Sequence, residues 1–278
     1  MSSQLPHVLV VGAGQMGGGI AQVVAASGRR VSLFDPAPGA VERAPERMRR
    51  SLAKLAAEPD ETLERVGEVG EIVEADLMIE AVVEDLAVKQ EIFRRADAVL
   101  PPNAILASNT SAIPIGSLAE TTSRPDKVVG MHFFNPVPMM RLVEVIRTQE
   151  TSDETVAAIL SLARELRKEP VEARDVPGFV SNRILMPFIN EAVYALRDGV
   201  ADAAAIDTVA TLGFAHPMGP LALADLIGLD TCVAIMDVLR AGLGDEKYAP
   251  CPLLRELVAA GRLGRKSGHG FFEYPNPD

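Results

Sequence analysis

The sequence lacks several features that would place it in common protein classes. Tryptophan is absent and aromatic residues make up 4% of the 278 residues, so the core must be packed from Ala, Val, Leu and Ile. The two cysteines, Cys232 and Cys251, have neither metal-ligand spacing nor a secretory context, and we expect reduced core thiols and no metal site. No run of 18 apolar residues and no signal-type N-terminus occur, which predicts a cytoplasmic protein without membrane segments.

Positive charge is also scarce. The formal net charge of -11 argues against general nucleic-acid binding, because an acidic surface repels phosphate at long range. It leaves room for a local basic pocket that takes a phosphorylated ligand. Hydrophobic residues make up 48% of the chain, so we expect a folded core of useful size in one large or two ordinary domains.

The most informative stretch near the N-terminus is HVLVVGAGQMGGGIAQVVAASGRRVSLFDP. In order, it contains a strand at His7 to Val11, glycines at G-x-G-x-x-G spacing, a helix through Ile20 to Ala26 that ends near Gly28, a strand at Val31 to Phe34, and Asp35. A lone glycine motif is weak, but strand, glycines, helix, strand and acid in this order are typical of a dinucleotide-binding βαβ unit.

Each position of this motif has a physical task. Gly12 permits the tight turn from strand to helix, Gly14 lets a pyrophosphate approach the backbone, and Gly17 allows close helix–strand packing. The N-terminus of the helix supplies amide donors and the positive end of a dipole. Asp35 can bind the ribose 2′-hydroxyl and repel a 2′-phosphate, which favours NAD over NADP.

Further buried-looking strands follow, and helical stretches separate several of them. They are Leu77 to Val83, Ile105 to Ser108, Val128 to Phe133 and Val143 to Ile146. This alternation predicts an α/β fold with a Rossmann-type, doubly wound and mainly parallel sheet. Glu84 and Lys89 come just past a strand end, where such sheets bind ligands. An ordinary charge pair at a solvated helix start is an equally good interpretation of these two residues.

The chain between Asp35 and Asp76 is longer than a plain crossover and strongly charged. We expect a short helical arm there, over about residues 37–72. Five basic residues cluster in its first part: Arg43, Arg47, Arg49, Arg50 and Lys54. Charge-rich helices are usually solvated faces, and that interpretation holds here unless the ligand carries phosphates beyond the sheet.

The character of the sequence changes at Pro177 and Gly178. Helical patterns rich in Ala, Leu and Val follow as far as Leu243, with no strand-like alternation. We therefore expect an NAD-binding domain over residues 1–178 and a smaller all-helical domain for substrate binding and dimerisation over residues 179–278.

Two titratable residues have apolar neighbours in the stretch GMHFFNPVPMMRLVEV. His132 ends a predicted strand on the cofactor side, Glu144 lies in or at the start of the next strand, and the loop Asn135 to Arg141 can bring them together. A carboxylate beside an imidazole orients the ring and stabilises its protonated form. Beside a nicotinamide, the pair would remove the proton of an alcohol as its hydride leaves. The alternative interpretation is a satisfied core histidine and a strand-edge glutamate.

Seven stretches together resemble the short-chain L-3-hydroxyacyl-CoA dehydrogenases, in particular the bacterial 3-hydroxybutyryl-CoA dehydrogenase branch. They are VVGAGQMGGGIA, IEAVVEDLAVKQEIF, LASNTSAIPI, GMHFFNPVPMMRLVEVI, PGFVSNRIL, HPMGPLALADLIGLD and GRLGRKSGHGFFEY. They run nearly from end to end and are jointly far more specific than the glycine motif. The resemblance implies reversible, NAD-dependent oxidation of a short (S)-3-hydroxyacyl thioester to the 3-oxoacyl thioester, usually by a homodimer.

The resemblance also implies roles for single residues. His132 is similar to the family's catalytic base and Glu144 to its acidic partner. Ser111 resembles the serine that hydrogen-bonds the substrate near the nicotinamide, and Asn135 and Asn182 resemble the asparagines around the reacting thioester. From motif and resemblance together, the expected cofactor-binding residues are Gly12, Gly14, Gln15, Met16, Gly17, Asp35, Glu84, Lys89, Asn109 and Asn135. The expected substrate-binding residues are Ser111, Asn182, Ser51 and Lys54.

The arm departs from the family pattern. The family usually grips the phosphate-bearing part of coenzyme A with a longer basic helix pair, of which this chain keeps the serine, Ser51. The position seven residues on, usually lysine, is Glu58, followed by Pro59. A carboxylate at that position would repel a coenzyme A phosphate, for which Arg50 or Lys54 can compensate.

Three alternatives to the ordinary family function follow from the sequence. The altered arm fits the same chemistry on a carrier-protein-bound or other unusual acyl thioester. A lysine-dependent 3-hydroxy acid dehydrogenase is set aside because no lysine lies between Lys168 and Lys247. A non-catalytic NAD-binding protein is disfavoured by the set of Ser111, His132, Glu144 and Asn182.

Overall fold

One eight-stranded sheet is the frame of the N-terminal part of the protein. The structure, a computed structural model, describes residues 5–55 and 59–275, and its internal contacts divide the chain into two units, Met1–Val176 and Pro177–Asp278. The strands are β1 (His7–Val11), β2 (Arg30–Phe34), β3 (Val66–Glu68), β4 (Leu77–Glu80), β5 (Ile105–Ser108), β6 (Val128–Phe133), β7 (Leu142–Arg147) and β8 (Glu169–Arg174).

The strand order confirms the doubly wound, mainly parallel sheet. Across the sheet the order is β3-β2-β1-β4-β5-β6-β7-β8, and β1 to β6 are all parallel to one another. Strand β7 runs antiparallel to β6, and β8 is parallel to β7. Residues Val8 to Val11 of β1 are fully buried, as expected of an apolar strand covered on both faces. The strand order reverses between β1 and β4, where open α/β sheets form a ligand crevice at their carboxyl edge.

Among the described residues, six α-helices belong to the same unit. They are α1 (Gln15–Ala26), α2 (Ala44–Lys54), α3 (Pro59–Leu63), α4 (Leu86–Val99), α5 (Ile115–Ala119) and α6 (Asp153–Glu165). Two of them start at side-chain caps, because the Asp85 carboxylate accepts from the amide of Val88 and the Ser152 hydroxyl accepts from that of Thr155. Helix α1 begins directly after the glycine turn, which places its N-terminus at the carboxyl edge of the sheet.

The structure differs from the sequence-based strands in three places. Strand β4 ends at Glu80 rather than Val83, because the Glu80 carboxylate accepts from the amide of Val82 and turns the chain out of the sheet (2.7 Å). The outer strands β3 and β8 were not predicted. Both lie at an edge of the sheet and are largely exposed, so they lack the apolar pattern of the inner strands.

The C-terminal unit is helical, as the sequence predicts. Its helices are α7 (Ser181–Arg197), α8 (Ala203–Thr208), α9 (Pro220–Ile227), α10 (Leu229–Leu243) and α11 (Pro252–Ala259), and a π-helical turn covers Val209–Gly213. Its core is built from Met186, Ile189 and Val193 of α7 with Leu221 of α9 and Met236 of α10.

Two buried aspartates tie this unit together. Asp207 of α8 accepts from the amides of Leu221 and Ala222, both at 2.9 Å, and so holds the start of α9. Asp225 of α9 accepts from the amides of Phe271 and Phe272, also at 2.9 Å, and thereby fixes the C-terminal segment. Within the described residues, no helix is both long and apolar enough to cross a membrane.

Both cysteines are buried free thiols, and we predict that they resist labelling in the native protein. Burial raises the pKa of Cys232 to about 12. At pH 8 its thiolate fraction is then roughly a thousandfold below that of an ordinary cysteine with a pKa near 8.5. Mass spectrometry after iodoacetamide treatment should show no adduct in native protein and two adducts in urea. Rapid labelling of the native protein would contradict this burial.

Candidate active site

The glycine loop and Asp35 build a receptor for an anionic dinucleotide. Gly12 has a φ of +108°, and a Cβ on it would lie 2.4 Å from the carbonyl oxygen of Ala81, so only glycine fits this turn. A Cβ on Gly14 would meet nothing within 4 Å, so the backbone there is open to a ligand. No described side chain caps the start of α1, which leaves its first amide groups available to a phosphate.

Asp35 ends β2 beside this loop. Its carboxylate accepts from the amide of Ala13 at 2.6 Å and from that of Ala37 at 2.8 Å, which fixes the carboxylate next to the glycine turn. A cleft of about 300 Å³ opens beside it, lined in part by Phe34, Glu42 and Glu68 and by no lysine or arginine. Its acidic lining suits a ribose with free hydroxyls and repels a 2′-phosphate, as the sequence predicts for NAD over NADP.

A fully buried ion pair lies at the carboxyl end of β4, next to the glycine loop. The Lys89 ammonium of α4 donates to the Glu80 carboxylate at 2.7 Å, and the Ser108 hydroxyl donates to the second oxygen of Glu80 at 2.6 Å. Glu80 and Ser108 have no exposed surface and Lys89 is 1% exposed, so Lys89 is not the solvated residue of the simpler interpretation. Glu80 was not predicted from the sequence, although an acid that ends the apolar strand LMIE is a signal for it.

Glu84 connects this ion pair to the loop that carries Ser111. One of its oxygens is 3.3 Å from the Lys89 ammonium, and the other accepts from the Thr110 hydroxyl at 2.5 Å and the Ser111 amide at 2.9 Å. Burial opposes ionisation of Glu84, but the Lys89 ammonium and these hydrogen bonds outweigh it and hold the pKa of Glu84 below its usual value. The loop is therefore held by an ionised carboxylate at neutral pH.

His132 and Glu144 face each other across two antiparallel strands. The register of β6 and β7 pairs them directly, and the His132 Nδ1 lies 2.9 Å from a carboxylate oxygen of Glu144. Both side chains are buried, and the imidazole lies against the ring of Phe134 at a centroid distance of 4.6 Å. With the N–H on Nδ1 donating to the carboxylate, the second ring nitrogen Nε2 becomes the proton-accepting atom.

The loop after His132 is held at both ends. The amide of Phe133 donates to the Asn109 side-chain oxygen at 2.8 Å, which joins β6 to the end of β5. Farther along, the buried ammonium of Lys168 donates to the carbonyl oxygens of Val137 and Met140 (2.8 Å for Met140), and burial lowers the pKa of Lys168. No motif in the sequence signals this role of Lys168, because its partners are backbone atoms.

A pocket of about 170 Å³ lies between this loop, α1 and the arm helix α2. The Gln15 amide donates to the Asn135 side-chain oxygen at 3.0 Å on its wall, and Ser51 lines it from α2. Arg47, also on α2, donates to the carbonyl of Ala13. Lys54 is exposed at the end of α2 and is not among the lining residues, and Glu58 lies outside the described residues.

The remaining predicted catalytic residue, Asn182, belongs to the C-terminal unit. It is buried in the first turn of α7. In the described parts of the chain, no group of three His, Cys, Asp or Glu residues has the arrangement of a metal site. The structure thus brings the glycine loop, Asp35, Glu84, Ser111 and the His132–Glu144 pair to the carboxyl edge of one sheet.

We predict that replacing Lys89 by methionine will strongly destabilise the N-terminal unit. The change leaves the buried Glu80 carboxylate without its cation, which costs about 3–5 kcal/mol. Urea unfolding should show this loss, and the double variant Lys89→Met/Glu80→Gln should recover part of it. Lys127→Met is the matched control, because this ammonium lies 3.8 Å from an exposed Asp126 carboxylate and should contribute less than about 1 kcal/mol. Equal stability of Lys89→Met and Lys127→Met would contradict the assignment.

Comparison with known proteins agrees with this geometry. The family "3-hydroxyacyl-CoA dehydrogenase, NAD binding domain" matches residues 7–176, and "3-hydroxyacyl-CoA dehydrogenase, C-terminal domain" matches residues 178–274. A Bacillus subtilis protein described as "Probable 3-hydroxybutyryl-CoA dehydrogenase" is 51% identical, over 98% of this chain and 98% of its own. The 3-hydroxybutyryl-CoA dehydrogenase of Bradyrhizobium diazoefficiens is 46% identical over 99% and 97%.

A solved structure gives the same result. The crystal structure of (S)-3-hydroxybutyryl-CoA dehydrogenase PaaH1 from Ralstonia eutropha is 44% identical to this chain and superimposes with a TM-score of 0.94, over 98% of this chain and 100% of that one. These matches extend over both units and include the glycine loop that receives the dinucleotide. The chain therefore belongs to the 3-hydroxyacyl-CoA dehydrogenase family and is an NAD-dependent dehydrogenase.

Proposed function

We propose that this protein oxidises short-chain (S)-3-hydroxyacyl-CoA, such as 3-hydroxybutyryl-CoA, to 3-oxoacyl-CoA in a reversible reaction, with His132 and Glu144 as the acid–base pair. The observation that carries the proposal is the buried 2.9 Å contact between these two side chains at the carboxyl edge of the sheet. The names of the similar proteins support the same substrate class.

The proton of the substrate hydroxyl passes to Nε2 of His132. The Nδ1–H donates to Glu144, so the imidazole keeps the tautomer and orientation in which Nε2 accepts the proton. As the ring becomes an imidazolium, the carboxylate beside it stabilises the new charge. NAD held at the glycine loop and Asp35 would supply the acceptor for the hydride that leaves C3, so that loss of this hydride and of the hydroxyl proton would turn the C3–O bond into the carbonyl. In the reverse direction, His132 returns its proton to the oxygen.

The other polar residues hold the reacting groups. Ser111 donates to the substrate oxygen, and its loop is fixed by the three hydrogen bonds that Thr110, Ser111 and Ala112 give to Glu84. Asn135 binds the thioester carbonyl: its side-chain oxygen accepts from the Gln15 amide, which leaves its NH₂ group to donate to a ligand. The family resemblance also assigns Asn182 to the substrate. Such positioning supplies much of the rate of a hydride transfer.

The identity of the thioester carrier is tested by NADH oxidation with acetoacetyl-CoA, beside the same acyl group on pantetheine and on an acyl carrier protein. We expect saturable turnover that is most efficient with coenzyme A, with Ser51 and the basic residues of α2 near its phosphates. Poor use of coenzyme A with good use of the carrier protein would favour the carrier-bound alternative, in keeping with the acidic Glu58. If none of the three thioesters is turned over, the alternative of a non-catalytic NAD-binding protein is favoured.

We predict that His132→Asn abolishes most turnover and spares cofactor binding. Loss of a general base typically lowers kcat by about 10²–10⁴-fold, whereas the glycine loop and Asp35 are untouched. Turnover of acetoacetyl-CoA and the fluorescence titration of NADH measure the two effects separately. Glu144→Gln keeps the shape of the side chain and should lower kcat less than His132→Asn does. Unchanged turnover of His132→Asn would sink the acid–base assignment.

We also propose that the protein is a homodimer that associates through its C-terminal helical unit. Large apolar side chains are unusually exposed there: Leu212 is 83% exposed, Val200 75%, Ile184 67% and Phe214 61%. The His216 ring lies 5.1 Å from that of Phe188 in α7 and 6.2 Å from that of Phe214, which joins this surface to α7. Exposed apolar groups of this size are typical of subunit interfaces, and the family resemblance points to a second copy of the chain.

We predict that Leu212→Asp converts the dimer to a monomer. A carboxylate in an apolar interface loses its hydration without gaining a partner, so association should weaken by at least about a hundredfold. Sedimentation equilibrium gives the mass, and circular dichroism checks that the helices are intact. Val99→Asp, an exposed apolar position in α4, is the control and should sediment like the wild type. A wild-type protein that sediments as a monomer would refute the proposal.

A further inference from the structure

A buried amide side chain without a partner lies in the wall of the pocket between α1 and α2. Gln22, on α1, is 3% exposed. Its side chain makes no hydrogen bond to any residue of the ranges 5–55 and 59–275, and it lines the pocket. The amide atoms of Gln22 are not fully enclosed, so the group opens into the pocket, where a ligand with matching donor and acceptor groups can bind it.

The rest of the pocket restricts the chemistry of that ligand. Met48, Val137 and Pro138 give it apolar walls, and a Cβ on Gly19 would lie 2.9 Å from the Val137 side chain, so the loop packs tightly on α1. Gln22 itself is neutral and offers one carbonyl and one NH₂ group. A chain that carries a secondary amide between aliphatic segments matches both properties, because each partner then donates once and accepts once. Arg47, the charged residue of the lining, already donates to the carbonyl of Ala13.

The position of the pocket connects this chemistry to the reaction. Asn135, which we place at the thioester, and Ser51, which we place near the phosphates, both line it with Gln22. The part of the substrate between thioester and phosphate is the pantetheine arm, an aliphatic chain with two secondary amides. Coenzyme A and carrier proteins share this arm.

We propose that Gln22 is a specificity-determining residue that hydrogen-bonds an amide of the pantetheine arm. The inference rests on the proposed thioester chemistry and adds to it the element by which the enzyme distinguishes a pantetheine thioester from a simple one. It also predicts that coenzyme A and carrier-protein substrates depend on Gln22 alike, so that any preference between them comes from other residues.

The test combines Gln22→Leu with acetoacetyl thioesters that contain two, one or no amides. These are the pantetheine, N-acetylcysteamine and S-pentyl thioesters, the last being an apolar analogue of the second. For the wild type, kcat/KM should be about tenfold lower for the first thioester of this series that lacks the recognised amide than for the thioester before it. For Gln22→Leu, kcat/KM should be the same for these two thioesters. The KM of this variant for acetoacetyl-CoA and for the acetoacetyl carrier protein should rise about tenfold. The dissociation constant of NADH should be unchanged.

A stability measurement separates recognition from a structural role. Because the Gln22 amide has no partner in the protein, Gln22→Leu should keep or raise the melting temperature. Gln90→Leu is the matched control: its amide donates to the carbonyl of Ser117 at 2.9 Å, so this variant should melt lower and keep the wild-type preference among the thioesters. If Gln22→Leu does not fold, the wild-type series alone must still show the tenfold step.

Three results would overturn the inference. The first is an equal loss of kcat/KM for all three thioesters in Gln22→Leu, which would mean that Gln22 does not contact an amide. The second is a wild type that uses the pentyl thioester as well as the pantetheine thioester. In both cases the thioesters are still turned over, so the proposed function is retained and only the role of Gln22 is refuted. The third is turnover of no thioester at all, which removes the proposed function and this inference together.

Discussion

The pairing of β7 with β6 is the constraint on which the chemistry of this site depends. Side chains alternate between the faces of a strand, so a shift of one residue in this register would place Val143 or Val145 opposite His132. The apolar neighbours of Glu144 are buried on the sheet and fix the register, which in turn fixes the carboxylate beside the imidazole. The reversed direction of β7 lets a residue twelve positions later in the chain return to the end of β6.

A buried ion pair, Glu80 with Lys89, lies beneath the carboxyl edge of the sheet, and a partly exposed carboxylate, Glu84, lies next to it. Glu80, Lys89 and Glu84 form a chain of carboxylate, ammonium and carboxylate that runs from the end of β4 to the Ser111 loop. Removing two ions from water is costly, and only good geometry and extra hydrogen bonds offset that cost. Here the Ser108 hydroxyl and the Val82 amide donate to the buried Glu80 carboxylate. Thr110 and the Ser111 amide donate to Glu84, and these bonds hold the loop in place.

The sequence predicted the parts of this protein that local chemistry determines. The glycine spacing, the buried β-branched strands and the acid at the end of β2 were sufficient for the nucleotide-binding unit, and the helical pattern was sufficient for the second unit. Strands β3 and β8 escaped prediction because only their pairing with β2 and β7 makes them strands. The sequence showed that His132 and Glu144 were candidates, but it gave a loop as the means of bringing them together, whereas the antiparallel register does so. Glu80 and Gln22 were missed because their roles depend on what surrounds them and not on a motif.

The hydrogen bonds of Asp225 affect the order in which the two units can fold during synthesis. Its two oxygens accept from the amides of Phe271 and Phe272, and one accepts also from the Tyr274 hydroxyl at 3.1 Å. A Cβ on Gly264 or Gly270 would collide with Asp225, so the last segment closes tightly around this carboxylate. On the ribosome, α9 emerges more than forty residues before those amides do. The helical unit can therefore finish its core only after Phe271, Phe272 and Tyr274 have been synthesised, while the sheet unit can already be folded.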